Sequence, residues 1–226
     1  MLALLHTSPV HVPVFDALRD EAHPGLELRH VIDEELLRRA RLDGPDSVAG
    51  DVRARVRDAV GSGARAVLCT CSTIGGVAEA ASAGMDVPVL RVDRPMAAVA
   101  VGTGRRIVVL AALESTLRPT AALIDEEAGR AGRPAEVRTL LVDEAWDLFA
   151  VGDNAGYVRR IADAADAVTG ADVIVLAQAS MAPAEHLTTT GIRILSSPRQ
   201  GLAAGVSAVC SGVAPPGPLP VTRGSD

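Results

Sequence analysis

Short apolar runs alternate along the chain with longer amphipathic stretches. Runs rich in Val, Ile and Leu and bounded by turn residues are typical of strands buried on both faces of a parallel sheet. The sequence predicts seven of them, at 2–5, 65–68, 87–92, 107–110, 137–142, 173–176 and 192–195. Ala/Arg/Glu-rich stretches with helical spacing lie between them, among them 46–60, 116–131 and 157–168. This alternation predicts an α/β fold with parallel sheets built from βαβ units.

Two distant segments of the chain share one pattern. Residues 64–75 and 171–182 each read as an apolar strand, then small polar residues, then a helix. The repeat predicts a twofold internal organisation, and a hinge is expected near Asp93-Arg94-Pro95, before the next strand.

These features predict two lobes. We expect one lobe to contain residues 1–93 and 196–226 and to carry Cys71, and the other to contain residues 94–195 and to carry Gln178. The chain must then cross between the lobes twice, since the helix predicted at 198–209 returns to the first lobe. The proline-rich run from Ala214 to Pro220 predicts an irregular tail.

Composition excludes several function classes. The chain has 226 residues, a net charge of −6 and only 2% aromatic residues, so stacking platforms and basic faces for nucleic acid are not expected. All 22 basic residues are arginine. Without lysine there is no Schiff base to a carbonyl substrate or to pyridoxal phosphate, and no P-loop lysine.

The three cysteines are Cys69, Cys71 and Cys210. The run from Met1 to Leu5 reads as a buried first strand and no apolar run is long enough to span a bilayer, so we expect a cytoplasmic protein with free thiols and no membrane partner. Cys69 and Cys210 are expected in the core. Cys69-Thr70-Cys71 is also compatible with a soft-metal or disulfide pair, but further ligands at suitable spacing are missing, and no metal is expected.

Ligands of open parallel sheets bind beyond the carboxyl ends of the strands. The residues that follow the predicted strands there are candidate substrate contacts. They are His6, Thr7, Ser8, Cys71, Ser72, Thr73, Gln178, Ala179, Ser180 and Ser197.

Cys71 is the candidate catalytic residue of this set. It lies where a strand turns into a helix, and the N–H groups of a helix N-terminus favour negative charge and lower the pKa of a thiol. Two interpretations of Cys71 are open. It is either a base or nucleophile, or a small packing residue in a tight turn. His6 reads as a substrate contact or as a structural hydrogen-bonding group, and surface positions explain the other histidines, among them His11 and His30.

The ordered set of motifs resembles the aspartate/glutamate/hydantoin racemase superfamily. The resemblance rests on Cys71-Ser72-Thr73 after a buried strand, on residues 107–111 after the hinge and on residues 175–181 after a second strand, and it extends to about Ser211. It implies two flavodoxin-like lobes related by a pseudo-twofold axis, an active site between them, and no cofactor or metal. In such racemases one cysteine from each lobe flanks the carbon acid.

The resemblance carries the first cysteine position onto Cys71 and the second onto Ala177-Gln178, where an amide replaces the thiol. One-cysteine relatives similar to arylmalonate decarboxylase keep the thiol in the second lobe, whereas this sequence keeps it in the first. An amide has no proton to exchange in the biological pH range. Proton transfer is therefore expected on one face of the substrate only.

The sequence thus predicts a cofactor-independent isomerase of the racemase superfamily that acts on a small carboxylic or amino acid through Cys71. A decarboxylase or other lyase of the same superfamily is the first alternative, and a catalytically silent carboxylate-binding protein is the second. The expected partner is a small-molecule carboxylate, with a homodimer left open.

Overall fold

The computed structural model describes residues 1–211, which form eight strands and nine α-helices. The strands are β1 (Leu2–His6), β2 (Leu28–Ile32), β3 (Ala66–Cys69), β4 (Val89–Arg91), β5 (Arg106–Ala111), β6 (Glu136–Leu141), β7 (Val173–Leu176) and β8 (Arg193–Ser196). The helices are α1 (His11–Ala22), α2 (Glu34–Asp43), α3 (Ala49–Gly61), α4 (Ser72–Ala80), α5 (Arg94–Thr103), α6 (Glu114–Ala131), α7 (Ala145–Ala150), α8 (Asn154–Asp166) and α9 (Pro198–Ser211). Two 3-10 segments span Pro45–Val48 and Ala179–His186.

The strands form two separate four-stranded parallel sheets. Their orders are β2-β1-β3-β4 and β6-β5-β7-β8, so the second sheet repeats the connectivity of the first. The predicted α/β class with two parallel-sheet lobes is confirmed, and the common strand order agrees with a pseudo-twofold relation. No helix within residues 1–211 is long and apolar enough to cross a membrane.

Each sheet is covered by helices on both faces. Along β1, Ala3 and Leu5 pack into a cluster with residues of α2 and α3, while Leu2 and Leu4 pack with Phe15 of α1 and Leu202 of α9. All five residues of β1 are buried. This two-sided burial explains why the strand is a continuous apolar run with no polar alternation.

The helix α9 packs on β1 and β3 of the first sheet. The lobe boundaries at 93/94 and 195/196 stay a prediction, and residues 212–226, which include the proline-rich run, lie outside the described part of the chain. Cys210 is exposed, so its predicted place in the core is wrong: it lies on the outward side of α9, whereas Val209 is buried.

The sequence-based prediction missed one strand, β2. β2 lies at the edge of its sheet and is only partly buried, and Arg29 and His30 interrupt its apolar residues. An edge strand pairs on one side only, so its sequence does not need the continuous apolar run of a central strand.

The two lobes contact each other at the carboxyl ends of their strands. The hydroxyl of Ser72 donates a hydrogen bond of 2.7 Å to the carbonyl of Ala177, and the hydroxyls of Thr73 and Thr116 lie 3.3 Å apart. The turns after β3 and β7 therefore face each other across the lobe interface.

Candidate active site

A cavity of about 40 Å³ lies between the turns that follow β1, β3 and β7. Eight of the ten predicted site residues line it. They are Thr7, Ser8, Cys71, Ser72, Thr73, Gln178, Ala179 and Ser180. The position agrees with the general rule for open α/β sheets, because β1 and β3 are the neighbours whose connections leave the sheet in opposite directions.

Cys71 is the N-cap residue of α4, and its backbone is extended there, with φ −107° and ψ 115°. Burial raises the pKa of the thiol, while hydrogen bonds from the Thr7 hydroxyl and from the N–H groups of Ile74 and Thr73 lower it. Burial is the larger effect, so the pKa lies above its ordinary value. The expectation of a lowered pKa is wrong, because desolvation outweighs the donors at the helix N-terminus.

Gln178 occupies the equivalent position in the second lobe, two residues after the end of β7. Its Oε1 accepts hydrogen bonds from the N–H of Ala112 at 2.6 Å and from the N–H of Leu113 at 3.2 Å. Only the amide oxygen can accept these bonds, so the orientation of the side chain is set, and its NH₂ group is the part left to donate to a ligand. The two N–H groups that immediately precede α6 are thereby bonded to the protein itself.

The structure does not bring His6 and Ser197 into this cavity. His6 is fully buried, with Nδ1 2.8 Å from the hydroxyl of Thr70 and Nε2 2.8 Å from Nδ1 of His30. Burial lowers the pKa of His6 to about 3. Ser197 is also fully buried, and a direct role of either residue in substrate binding stays a prediction.

His11 is the functional candidate that sequence reasoning missed. It was expected on the surface, yet it lies in the first turn of α1 and lines the cavity beside Cys71. Burial lowers its pKa to about 4, so it is neutral at pH 7. Among the described residues that line the cavity, His11 and Cys71 are the titratable ones. Its position at the start of a helix that follows a strand end was the available signal.

Aromatic side chains of α7 close one side of the cavity. Trp146 and Phe149 line it, their ring centroids 4.9 Å apart, and the guanidinium of Arg41 from α2 lies 5.8 Å from the Trp146 ring. Glu144, which precedes the helix, has φ 62°. A contact between α2 and α7 therefore lies beside the cavity that contains Cys71.

Residues 1–211 contain no candidate metal site. There, no group of three or more His, Cys, Asp or Glu side chains is placed to hold an ion.

A family model described as Asp/Glu/Hydantoin racemase matches residues 11–205. A search of curated protein sequences finds no significant match. Solved structures with a similar fold include a glutamate racemase from Bacillus anthracis, at 14% identity and a TM-score of 0.65, covering 92% of this chain and 80% of the other.

Two further solved structures share the fold. An allantoin racemase from Klebsiella pneumoniae is 18% identical with a TM-score of 0.63, and the match covers 94% of this chain and 89% of the other. An arylmalonate decarboxylase is 19% identical with a TM-score of 0.58, and the match covers 94% of each chain. At such identities these likenesses establish the fold.

Proposed function

Because the chain belongs to the Asp/Glu/Hydantoin racemase family, we propose that it is an isomerase that moves a proton at the α-carbon of a small carboxylic or amino acid, with Cys71 as the proton-carrying group. The observation that carries the proposal is the position of Cys71: a thiol at the N-terminus of α4, in a cavity between the two lobes. No resident cofactor enters the proposed step.

The substrate carboxylate is held by groups that donate hydrogen bonds. Ser8, Ser72 and Gln178 line the small cavity, and the Ser8 hydroxyl, the Ser72 backbone N–H and the Gln178 NH₂ group are the donors assigned to the carboxylate. Cys71 first gives its thiol proton to solvent. The C–H bond at the α-carbon then breaks, its electron pair moves into the carboxyl group to form an enediolate, and the proton moves to the Cys71 thiolate. Return of a proton from the thiol to the α-carbon completes the exchange. Preorganised donors of this kind contribute about 3 kcal/mol each to transition-state stabilisation.

A decarboxylase is the second candidate, and two observations favour it. The raised pKa keeps Cys71 protonated at neutral pH, and Gln178 has no proton to exchange on its side of the cavity. The substrate of this reaction carries two carboxylates on its α-carbon. The bond to one of them breaks, carbon dioxide leaves, and the electron pair moves into the remaining carboxylate to form an enediolate. The thiol proton then moves to the carbon, and the thiolate takes a proton from solvent.

Incubation of the protein with a panel of small carboxylic and amino acids in deuterated water, followed by NMR, tests both candidates. Exchange of an α-proton identifies the isomerase chemistry, and loss of a carboxylate with deuterium at the α-carbon identifies the decarboxylase. Cys71→Ser is expected to lower either rate at least about 100-fold, the usual contribution of a positioned acid or base.

The matched control is Cys210→Ser, which removes an exposed thiol far from the cavity and should keep the full rate. A Cys71→Ser protein that retains the activity would contradict the proposal. A protein that binds carboxylates without turning any of them over would instead be the silent binder. The free state of all three cysteines supports a reducing compartment such as the cytoplasm.

A further inference from the structure

A second and much larger cavity adjoins the one at Cys71. Its volume is about 530 Å³, and it lies between α1, the segment Ala179–His186, α8 and the start of α9. His11, Phe149, Ala179 and Ser180 line both cavities. The two spaces therefore adjoin at these residues, so the larger one is within reach of a substituent on a molecule whose carboxylate lies beside Cys71.

The wall of the larger cavity is mainly apolar. Val14 and Leu18 of α1 face Val158 of α8 and Ile194 and Leu195 at the end of β8. Polar side chains are also present: Ser180 lies 2.8 Å from the hydroxyl of Tyr157, so both hydroxyls already have a partner. Apolar surface of this extent favours an apolar occupant, because binding one removes the surface of both from water.

The charges around the larger cavity disfavour a carboxylate on the part of the substrate that this cavity holds. Among the described lining residues, Arg199 is the one that carries a guanidinium group. Its Nη2 lies 2.8 Å from Oε2 of Glu21 in an exposed ion pair. His11 is neutral because burial lowers its pKa to about 4, and Glu185 adds a carboxylate to the wall. An aspartate or glutamate side chain would lose hydration here, and the guanidinium of Arg199 is already paired with Glu21.

We infer that the substrate is a carboxylic acid with a bulky apolar group, such as an aryl ring, on its α-carbon, and that the larger cavity holds this group. The inference rests on the proposed function, since it takes Cys71 as the place of the reacting α-carbon. The small cavity then sets where the carboxylate binds, and the large one selects the substituent.

Binding of three acids to the Cys71→Ser protein tests the selection without turnover. 2-Phenylpropanoate carries the apolar group, propanoate lacks it, and succinate replaces it with a second carboxylate. We expect calorimetry to show 2-phenylpropanoate binding at least about 10-fold more tightly than the other two, the effect of burying one large apolar group. Equal affinities for the three acids would overturn the inference.

Variants of the wall locate the bound group. Val14→Trp and Ala182→Phe narrow the cavity from two different elements, and each is expected to weaken 2-phenylpropanoate binding at least about 10-fold while propanoate binding changes less than about 2-fold. Val151→Trp is the control, since Val151 is 79% exposed and lines neither cavity. Val14→Arg supplies the missing cation and should raise the affinity for succinate. Unchanged 2-phenylpropanoate binding in both narrowed, folded variants would overturn the inference.

Measurement of α-proton exchange for the same acids with the unmodified protein separates the two proposals. If 2-phenylpropanoate binds in a Val14-dependent manner and no acid exchanges, the reaction assigned to Cys71 fails and the apolar site stands. If propanoate and succinate exchange as fast as 2-phenylpropanoate and Val14→Trp has no effect, the reaction stands and the apolar site fails.

Discussion

At the scale of single residues, the contrast between Cys71 and Gln178 bears most directly on the chemistry. Both follow the third strand of their lobe and both cap the segment behind it, with extended backbones of φ −107° and φ −115°. The thiol is free to exchange a proton, whereas the amide oxygen is held by two backbone N–H groups. The cavity is therefore chemically asymmetric although the fold around it is repeated.

Gln178→Cys should convert this one-sided site into a two-sided one. We expect interconversion of enantiomers to appear or to rise about 100-fold or more, because a second positioned acid or base is added. Chiral chromatography of the product measures this. The free energy of unfolding should fall by about 1–3 kcal/mol, since the N–H groups of Ala112 and Leu113 lose their acceptor.

Gln178→Ala is the control for that loss, because it also removes the acceptor of both N–H groups but adds no acid or base, and it should lose the same stability without producing the new activity. Fast racemisation by the unmodified protein would contradict the one-sided site. His11 would then be the group to remove, as the other titratable residue on the cavity wall among those described.

His6 makes stability depend on pH. Its pKa is about 3 in the folded protein and about 6.5 in the unfolded chain. Between these pH values the unfolded chain binds a proton at His6 and the folded protein does not. The contribution of neutral His6 to the free energy of unfolding is fully present above about pH 6.5. It decreases as the pH falls towards 3, and about 3 kcal/mol is lost at pH 4. Urea unfolding at several pH values measures the slope.

His6→Gln should flatten this slope, with His11 supplying the part that remains. His186→Asn, a change at an exposed histidine, should leave the slope as it is. An unchanged slope in His6→Gln would show that protonation of His6 is not what destabilises the fold in acid.

At the scale of elements, α9 depends on a close contact with the chain that leaves β4. A Cβ atom on Gly201 would lie 2.4 Å from Cγ2 of Val92 and 2.5 Å from its carbonyl oxygen. Because the carbonyl is backbone, it cannot move aside as a flexible side chain does. The glycine therefore lets α9 approach the point where the chain crosses to the second sheet.

Gly201→Ala is expected to lower the free energy of unfolding by about 1–3 kcal/mol through this overlap. Gly102→Ala in α5 is the matched change, because a Cβ there meets nothing within 4 Å, and it should stabilise the protein by up to about 1 kcal/mol. Denaturant unfolding measures the change in the free energy of unfolding for each variant. The two changes have opposite signs if the close contact matters and the same sign if it does not.

At the scale of the whole molecule, a buried cluster of charges joins three helices near the predicted hinge. Arg94 of α5 pairs with Glu79 of α4, and with Glu126 at 2.8 Å and Glu127 of α6. Arg94 is 13% exposed and Glu79 only 3%. The cluster links elements that pack on the first sheet and on the second, and so holds the two lobes in one arrangement.

Arg94→Leu should destabilise the protein by about 3–5 kcal/mol, because it leaves a buried carboxylate without its partner. Arg38→Leu breaks an exposed pair with Glu35 and should leave thermal unfolding unchanged. A melting temperature for Arg94→Leu equal to that of Arg38→Leu would show that the cluster does not stabilise the lobe arrangement.

Much of the fold and the place of Cys71 could be read from local pattern. Central strands such as β1, β3, β5 and β7 are buried on both faces, so each appears as an uninterrupted apolar run, and parallel connectivity places the residues behind them at one edge. The edge strand β2 lacks that run because water covers part of it. Eight predicted site residues line the cavity for the same reason.

The chemical state of those residues depends on contacts between distant parts of the chain, which no local pattern records. Gln178 is held by N–H groups about 65 positions away, and His6 by Thr70, 64 positions away. The raised pKa of Cys71, the neutral His11 at the cavity wall and the large apolar cavity all arise from how two lobes bury each other. Burial and hydrogen-bond partners are properties of the packed molecule, since desolvation depends on every atom that excludes water from a group.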